Sequence, residues 1–434
     1  MKRKALALTL ILAFLFSATA GGLFVDVGKA YFTPLPELPP PIYIRGDGSV
    51  EPSSAFIQRV GDTYTFTDDI DNSIEVQRDN IVIDGNGFSV TQTPVNTSGL
   101  MIPAGWYPGI RLTDRRDVTI KNVKIRDCIS GITIESSTNI TLTNNSITGI
   151  GKIAIFSASS SKCTISQNDI TSNDQGILII DSMYVNISEN NITRNSVGIQ
   201  CYTYTSTYSP KLDAAVTSGC AYIDIFGNYI AGNTKNGISL NAFYIRIGYN
   251  TLSNNNKGLE FMGDSYHTMI YHNNFVSNFE NVKIAVLASA SGGYDWIWDS
   301  GSEGNYWNDY LTKYPNATEK NHSGVGNTPY VIDANNVDNY PLMREASIKP
   351  PYTILEFPSP SPTTNPTPPP LNTPTPSPSP SPSEQPTKTT EPKPNPFPTT
   401  LVITSVASAA VIGIGLLVYF KKRKHKAEIT SRVE

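Results

Sequence analysis

Charge is scarce in this chain. Asp, Glu, Lys and Arg make up only 16% of its 434 residues and the formal net charge is −4, so electrostatics indicates neither a nucleic acid nor an acidic polymer as partner. Cysteine is scarce too. Four of them permit a disulfide in an exported chain but cannot supply a disulfide-dense scaffold. The third absence is helical periodicity: from Ile81 to Ile284 no segment repeats apolar residues at helical spacing over three turns. Asparagine is plentiful instead. In VNISENNITRNSVGI, Asn186, Asn190, Asn191 and Asn195 alternate with a regular return of isoleucine and valine. A disordered tract has no reason to keep that apolar rhythm, and an ordinary core strand has no reason to take so many amides.

The ends of the chain read differently from its middle. MKRK, the apolar run ALALTLILAFLF and Ala18-Thr19-Ala20 follow the order of a secretory signal, expected over residues 1–20. Residues 21–41 form a Pro-rich leader. Leu401 to Phe420 is an uncharged apolar run of about 20 residues, followed at once by KKRKHK. This predicts a single-pass membrane anchor over 401–420, a cytoplasmic tail over 421–434 and an ectodomain outside the cell. Residues 346–400 are mostly Pro, Ser and Thr, too polar to bury a core, and read as an extended stalk. The folded mass is expected over 42–345.

Within it the segments Cys163–Ile179, Val185–Cys201 and Ile245–Phe261 share one pattern: apolar-x-apolar-x-x-Asn-x-apolar-x-x-Asn-x-x-Gly-apolar-x-apolar. Further copies fit the same frame, mostly at spacings of 22 or 23 residues. One copy is too one-sided to bury its own apolar face, so copies must stack as coils whose strands pair about 4.8 Å apart. Asn145, Asn168, Asn190, Asn228, Asn250 and Asn273 fall at one corner, and Asn173, Asn195, Asn233, Asn255 and Asn278 at a second. An asparagine ladder is expected there, because this side chain tolerates left-handed backbone angles and its amide can bond the equivalent amide one coil on. The expected fold is an all-β parallel β-helix, a single-stranded solenoid.

The segment VGDTYTFTDDIDNSIEVQRDNIVIDGNGF (Val60 to Phe88), the repeats, and the closing GNYWNDY (Gly304 to Tyr310) and GNTPYVIDANNVDNYPLM (Gly326 to Met343) together resemble right-handed parallel β-helix proteins with NosD-type repeats, also called carbohydrate-binding and sugar-hydrolase (CASH) domains. The resemblance implies a right-handed helix with capping segments over 42–345. It also brings copper forward, since that family takes its name from a copper-enzyme maturation context. The matching residues are His267, Met269 and His272, with Met262 nearby; imidazole and thioether are reasonable copper ligands, and surface histidines beside a packed methionine account for them equally. Many relatives carry an Asp/Gly-rich run before TPY. Here NHSGVGNTPY lacks acids, which argues against a calcium loop.

A lyase or hydrolase of this fold needs acids on one outer face of neighbouring coils. The row Thr133, Leu178, Gln200, Ser239, Glu260, Lys283 and the row Thr119, Thr141, Thr164, Asn186, Asp224, Arg246, Met269 put no two carboxylates on adjacent coils. Asp68, Asp69 and Asp71 read as turn formers in the first coil. Aromatic residues offer a binding surface: Tyr202, Tyr204 and Tyr208 in the insertion Cys201–Cys220, with outward Phe226, Tyr229, Tyr249 and Tyr271. Such rings stack on sugar faces or pack a loop against the helix wall. Cys201 and Cys220 would staple the base of that insertion if oxidised, Cys163 faces inward, and Trp296, Trp298, Tyr306, Trp307 and Tyr310 belong to a C-terminal cap. Sequons for N-glycosylation begin at Asn96, Asn139, Asn144, Asn186, Asn191, Asn316 and Asn321. The function expected is a structural or adhesive cell-surface protein, with extracellular polysaccharide or a surface protein as partner and no cofactor. A polysaccharide lyase or glycoside hydrolase is the first alternative and copper handling the second.

Overall fold

Each repeat closes into one coil of three short strands. Thr164–Ser166, Asp169–Thr171 and Gln175–Ile180 make one coil, and Met183–Ser188, Asn191–Thr193 and Val197–Tyr202 make the next. Corresponding strands pair in parallel and in register, as in Thr164 with Asn186, Ile170 with Ile192 and Ile177 with Ile199. The computed structural model describes residues 40–92, 108–204, 219–263, 265–285 and 296–355, with backbone alone for Val95–Thr97 and Leu100–Ile102. The expected signal, anchor and tail, and most of the leader and stalk, lie outside the described residues. Among the described residues no helix is long and apolar enough to cross a membrane.

Coil upon coil, the strands build three sheets of 11, 10 and 11 strands among the described residues. Period-2 alternation turns one side of every strand inward. Ile165, Ile187, Ile225 and Ile247 stack from the first sheet, Ile170, Ile192 and Ile230 from the second, and Ile177, Ile199 and Ile238 from the third, all at 0% exposure. Both outward rows expected from the sequence are in register, the second without a break from Thr119 to Met269. Five third-sheet strands carry glycine at their second position: Gly131, Gly176, Gly198, Gly237 and Gly258. A Cβ on Gly198 would stand 2.5 Å from the carbonyl oxygen of Gly237 on the next coil, so a side chain there would push the coils apart.

The asparagine ladder forms at both corners. Asn228 Oδ1 accepts from the backbone N–H and from Nδ2 of Asn190 at 3.0 and 2.9 Å, while its own Nδ2 donates to the Ile187 carbonyl and to Asn250 Oδ1 at 2.8 and 2.9 Å. The same bonds recur at Asn145, Asn168, Asn190, Asn250 and Asn273, all at 2% exposure or less. One expectation is corrected: the left-handed residue is the one before the ladder position. Asn144, Gln167, Glu189, Gly227, Tyr249 and His272 carry φ between 53° and 65°. The amide therefore occupies its site for hydrogen bonding alone, and the strained corner beside it takes varied residue types.

Caps close the two ends differently. At the N-terminal end, Val50–Glu51 and Ile57–Val60 fold back antiparallel on Ile42–Ile44 and Thr63–Phe66, which blocks strand edges that would otherwise invite further pairing. At the C-terminal end the expected aromatics take over. Trp296 stacks on Phe261 at 4.1 Å, and Trp307 lies between Phe275 at 4.4 Å and Tyr330 at 4.2 Å. The ladder ends in Asn305, whose backbone N–H donates to Asp338 Oδ2 at 2.7 Å; Trp307 Nε1 donates to the same oxygen at 2.9 Å. Burial raises the Asp338 carboxyl to about 7, against these donors, which lower it.

Replacing Asn228 with Ala strands several buried backbone groups and is expected to cost about 3 kcal/mol or more, whereas exposed Asn186→Ala should cost under about 0.5 kcal/mol; denaturant unfolding of both variants checks this. Because the folded-state value of Asp338 lies above its ordinary 3.8, its contribution is full at low pH and is lost as the pH rises through about 7. The melting-temperature penalty of Asp338→Asn should therefore grow as the pH falls from about 7 to about 4.

Candidate functional site

The corner leading into the first sheet carries a column of rings. Tyr184, Tyr222, Tyr244 and His267 occupy the same position of four successive coils, each with φ between 52° and 57°. Their centroids are 4.9, 4.8 and 4.4 Å apart with planes 5° to 22° from parallel. Bulky side chains at left-handed angles are costly, and coil-to-coil stacking offsets that cost. Stacking also uses up the inner ring faces, leaving the edges and the outer face of Tyr184, which is 53% exposed. Polar residues hold the same position earlier, where Asn139 Nδ2 donates to Asp117 Oδ1 at 2.5 Å. The sequence signal for this column is an aromatic directly before Val185, Ile223 and Ile245 of three aligned repeats, a position outside the apolar and Asn pattern that defines the repeat.

The insertion from Cys201 to Cys220 ends two residues before Tyr222, and its residues 205–218 lie outside the described residues. Tyr204, at its start, is 78% exposed; Tyr202 is half-buried on the third sheet between Ile180 and Asn241; Tyr208 lies outside the described residues. Cys201 and Cys220 are both fully buried free thiols. They face one another in hydrogen-bonding contact, and burial first, then the Cys201 thiol, pushes Cys220 well up. The expected staple is thus not closed in this structure. Cys163 is buried at 1% exposure. Asn139, Asn144, Asn186, Asn191, Asn316 and Asn321 are exposed, and Asn96 lies in Val95–Thr97.

The residues considered for copper do not come together. His267 stacks on Tyr244, whereas Met269, 5% exposed, packs with Phe226 and Tyr271. His272 lies past the end of Tyr266–Tyr271 and its Nε2 pairs with Glu303 Oε2 at 2.8 Å. Its Nδ1 is buried without a hydrogen-bond partner, but the adjacent rings are Tyr249 and Tyr271. No group of three His, Cys, Asp or Glu among the described residues could hold a metal ion. The set does not fit a copper centre.

Some acids on the outer faces are matched by cations, while Asp117, Asp169 and Glu189 are bonded by amides instead. Arg246 holds Asp224 through two bonds of 2.7 and 2.8 Å. Lys257 and Asn236 hold Glu260 at 2.5 and 2.6 Å, and Lys283 pairs with Glu280 at 3.3 Å. Glu260 and Glu280 do sit on adjacent coils, in neighbouring columns, because Lys257 is in register with Glu280 and Glu260 with Lys283. The rows aligned from sequence omitted the column of Glu280.

The NosD family, described as periplasmic copper-binding protein, matches residues 55–236 and 207–312, more than half of the chain. The chain belongs to the NosD family. No curated protein matches it. Among solved structures it is similar to the A-modules of the Azotobacter vinelandii mannuronan C-5 epimerases AlgE6 and AlgE4, at 15% and 18% identity and TM-score 0.38 each, with 56% of this chain and 63% and 64% of those chains covered. The periplasmic alginate epimerase AlgG is similar at 11% identity and TM-score 0.39, over 55% of this chain and 70% of that one. The chain spans less than two thirds of the two mannuronan epimerase modules, and at these values the likeness carries no activity across.

This NosD-family chain covers most of the outward aromatics that the sequence offered as a binding face. Phe226 and Tyr271 are 2% and 0% exposed because residues 346–355, the first part of the expected stalk, lie across them. Asn274 exchanges two bonds with the Ala346 peptide at 2.7 and 2.9 Å, Tyr249 OH accepts from Thr353 N, and Arg246 donates to the Leu355 carbonyl at 3.1 Å. Tyr271 OH donates to Thr353 O at 3.1 Å and accepts from Leu355 N at 3.0 Å. Burial raises its phenol to about 12, so it keeps the proton that one of these bonds needs. Tyr229, outside the strap, is 43% exposed. The variant Tyr271→Phe removes two of the strap's bonds, and limited proteolysis within residues 346–355 should accelerate about tenfold with the coils still folded.

Proposed function

We propose that this protein is a cell-surface β-helix, tethered by a single-pass anchor over 401–420, that serves as a rigid adhesive wall and contacts carbohydrate at its tyrosine corner. The observation that carries the carbohydrate reading is the four-ring column of Tyr184, Tyr222, Tyr244 and His267 beside the exposed Tyr204. The outer face of Tyr184, the exposed Tyr204 ring and the hydroxyls along the column's edge suit sugar rings, whose C–H faces stack while their hydroxyls bond. A rigid scaffold under an insertion is also the usual setting for recognition. The exposed sequon asparagines are proposed glycosylation sites on the same wall.

The pairing of Asp224, Glu260 and Glu280 with cations supports binding without cleavage at those coils, since a glycosidase or lyase needs carboxylates free to act on the sugar. Copper handling, the property in the family's description, has no support from His267, Met269 and His272 as they are arranged. Incubating the full-length chain with a panel of polysaccharides should give retention on at least one polymer and no soluble oligosaccharide by mass spectrometry. Tyr204→Ala with Tyr222→Ala should weaken retention about tenfold. Released oligosaccharides would replace this reading with an enzymatic one.

A further inference from the structure

The third sheet ends at Glu280–Ile284. By the offset of the preceding coil, the next third-sheet strand would begin at Thr312, but there the chain forms the one-turn helix Tyr310–Lys313. The core is left partly open as a result. Val282 and Ile284 are only half-buried, whereas Leu259 and Phe261 one coil earlier are at 0% exposure. Above this point lies a cleft of about 350 Å³, walled by residues 277–282 on one side and by Trp307 to Asp309, Lys313, Tyr330 and Ile332 on the other. Phe279 stands at the cleft with 89% of its surface exposed.

Its polar lining is fixed in advance. Asn278 Nδ2 donates to Asn281 Oδ1, Asn281 Nδ2 donates to Asp309 Oδ1, and Tyr330 OH donates to both Asp309 oxygens at 3.0 and 3.1 Å. The Lys313 ammonium sits 4.2 Å from the Tyr330 ring centre. Burial and the Asp309 carboxylate keep the Tyr330 phenol protonated. Amides and a carboxylate held in this way can take paired hydroxyls without reorganising. A largely exposed aromatic ring costs hydrophobic free energy in the unbound protein and offers an apolar face to a ligand. The charged groups of the lining are Glu280, Asp309 and Lys313, and Lys283 pairs with Glu280 at 3.3 Å, so the site carries no net positive charge to attract uronates or other anions.

We propose that this cleft is a second ligand site, for a neutral saccharide of roughly one to two rings, stacked on Phe279 and bonded by Asn281, Asp309 and Glu280. It shares the class of ligand with the tyrosine corner but none of its residues, so either site can fail alone. The test is saturation-transfer NMR with titration of the full-length chain against cellobiose, maltose, mannobiose and diacetylchitobiose, with digalacturonate as the anionic comparison. Saturable binding of a neutral disaccharide, weakened about tenfold or more by Phe279→Ala and also weakened by Glu280→Gln, supports the site. Both side chains can be changed without disturbing the core, and an unchanged melting temperature verifies that the variants are folded. Binding that survives Phe279→Ala and disappears in Tyr204→Ala with Tyr222→Ala overturns the cleft while leaving the corner intact. Failure of every neutral disaccharide to bind, or tighter binding of digalacturonate, overturns it as well.

Discussion

Everything in this solenoid depends on the pairing of one coil's buried amide with the next. A corner turns the chain inside the protein, where its N–H and carbonyl groups are out of reach of water, and a buried polar group without a partner is expensive. Asparagine solves this with one side chain that accepts from the neighbouring coil on one side and donates to carbonyl and amide groups on the other. Isoleucine columns supply most of the hydrophobic stabilisation, but they are nearly uniform along the axis and would tolerate a slipped register. The amide contacts are local and directional, so they fix which residue of one coil stands above which residue of the next.

That register carries through to the surface. Because outward columns are locked to the inward ladder, residues far apart in the chain become neighbours at one strand spacing. The Tyr184 column, the Asp224–Arg246 pair and the charge pattern of Lys257, Glu260, Glu280 and Lys283 all arise in this way. A ring at a left-handed corner would be a liability in isolation. Repeated through successive coils it becomes an ordered stack.

Most of the fold was legible because the repeat supplies its own alignment: the Asn columns, the isoleucine columns and the row from Thr119 to Met269 needed only a fixed period. The neighbouring residue that absorbs the left-handed angle was not legible, since Asn144, Gln167, Glu189 and Tyr249 share no chemistry that marks the task. The repeat places Phe226 and Tyr271 outward, which is correct for the coil, yet their cover comes from residues 346–355, which lie outside the repeat in a segment whose composition suggests no packing. The column of Tyr184, Tyr222 and Tyr244 was present in the alignment at a position that carries no core residue. The cleft beside Glu280–Ile284 reflects where the chain abandons the repeat, and such a departure has no periodic signature.

The strap formed by residues 346–355 runs from the coil of Asn274 back to that of Phe226 and Gly227 and then returns, so that its end is fastened to the coils of Tyr249 and Tyr271. Tension applied beyond Leu355 therefore reaches the solenoid through its flank. It is shared as shear among bonds on several coils at once, whereas a pull at Arg344 would peel the terminal coil one bond at a time. The strap acts as strain relief for the C-terminal cap, in the way a cable clamp keeps load off a connector.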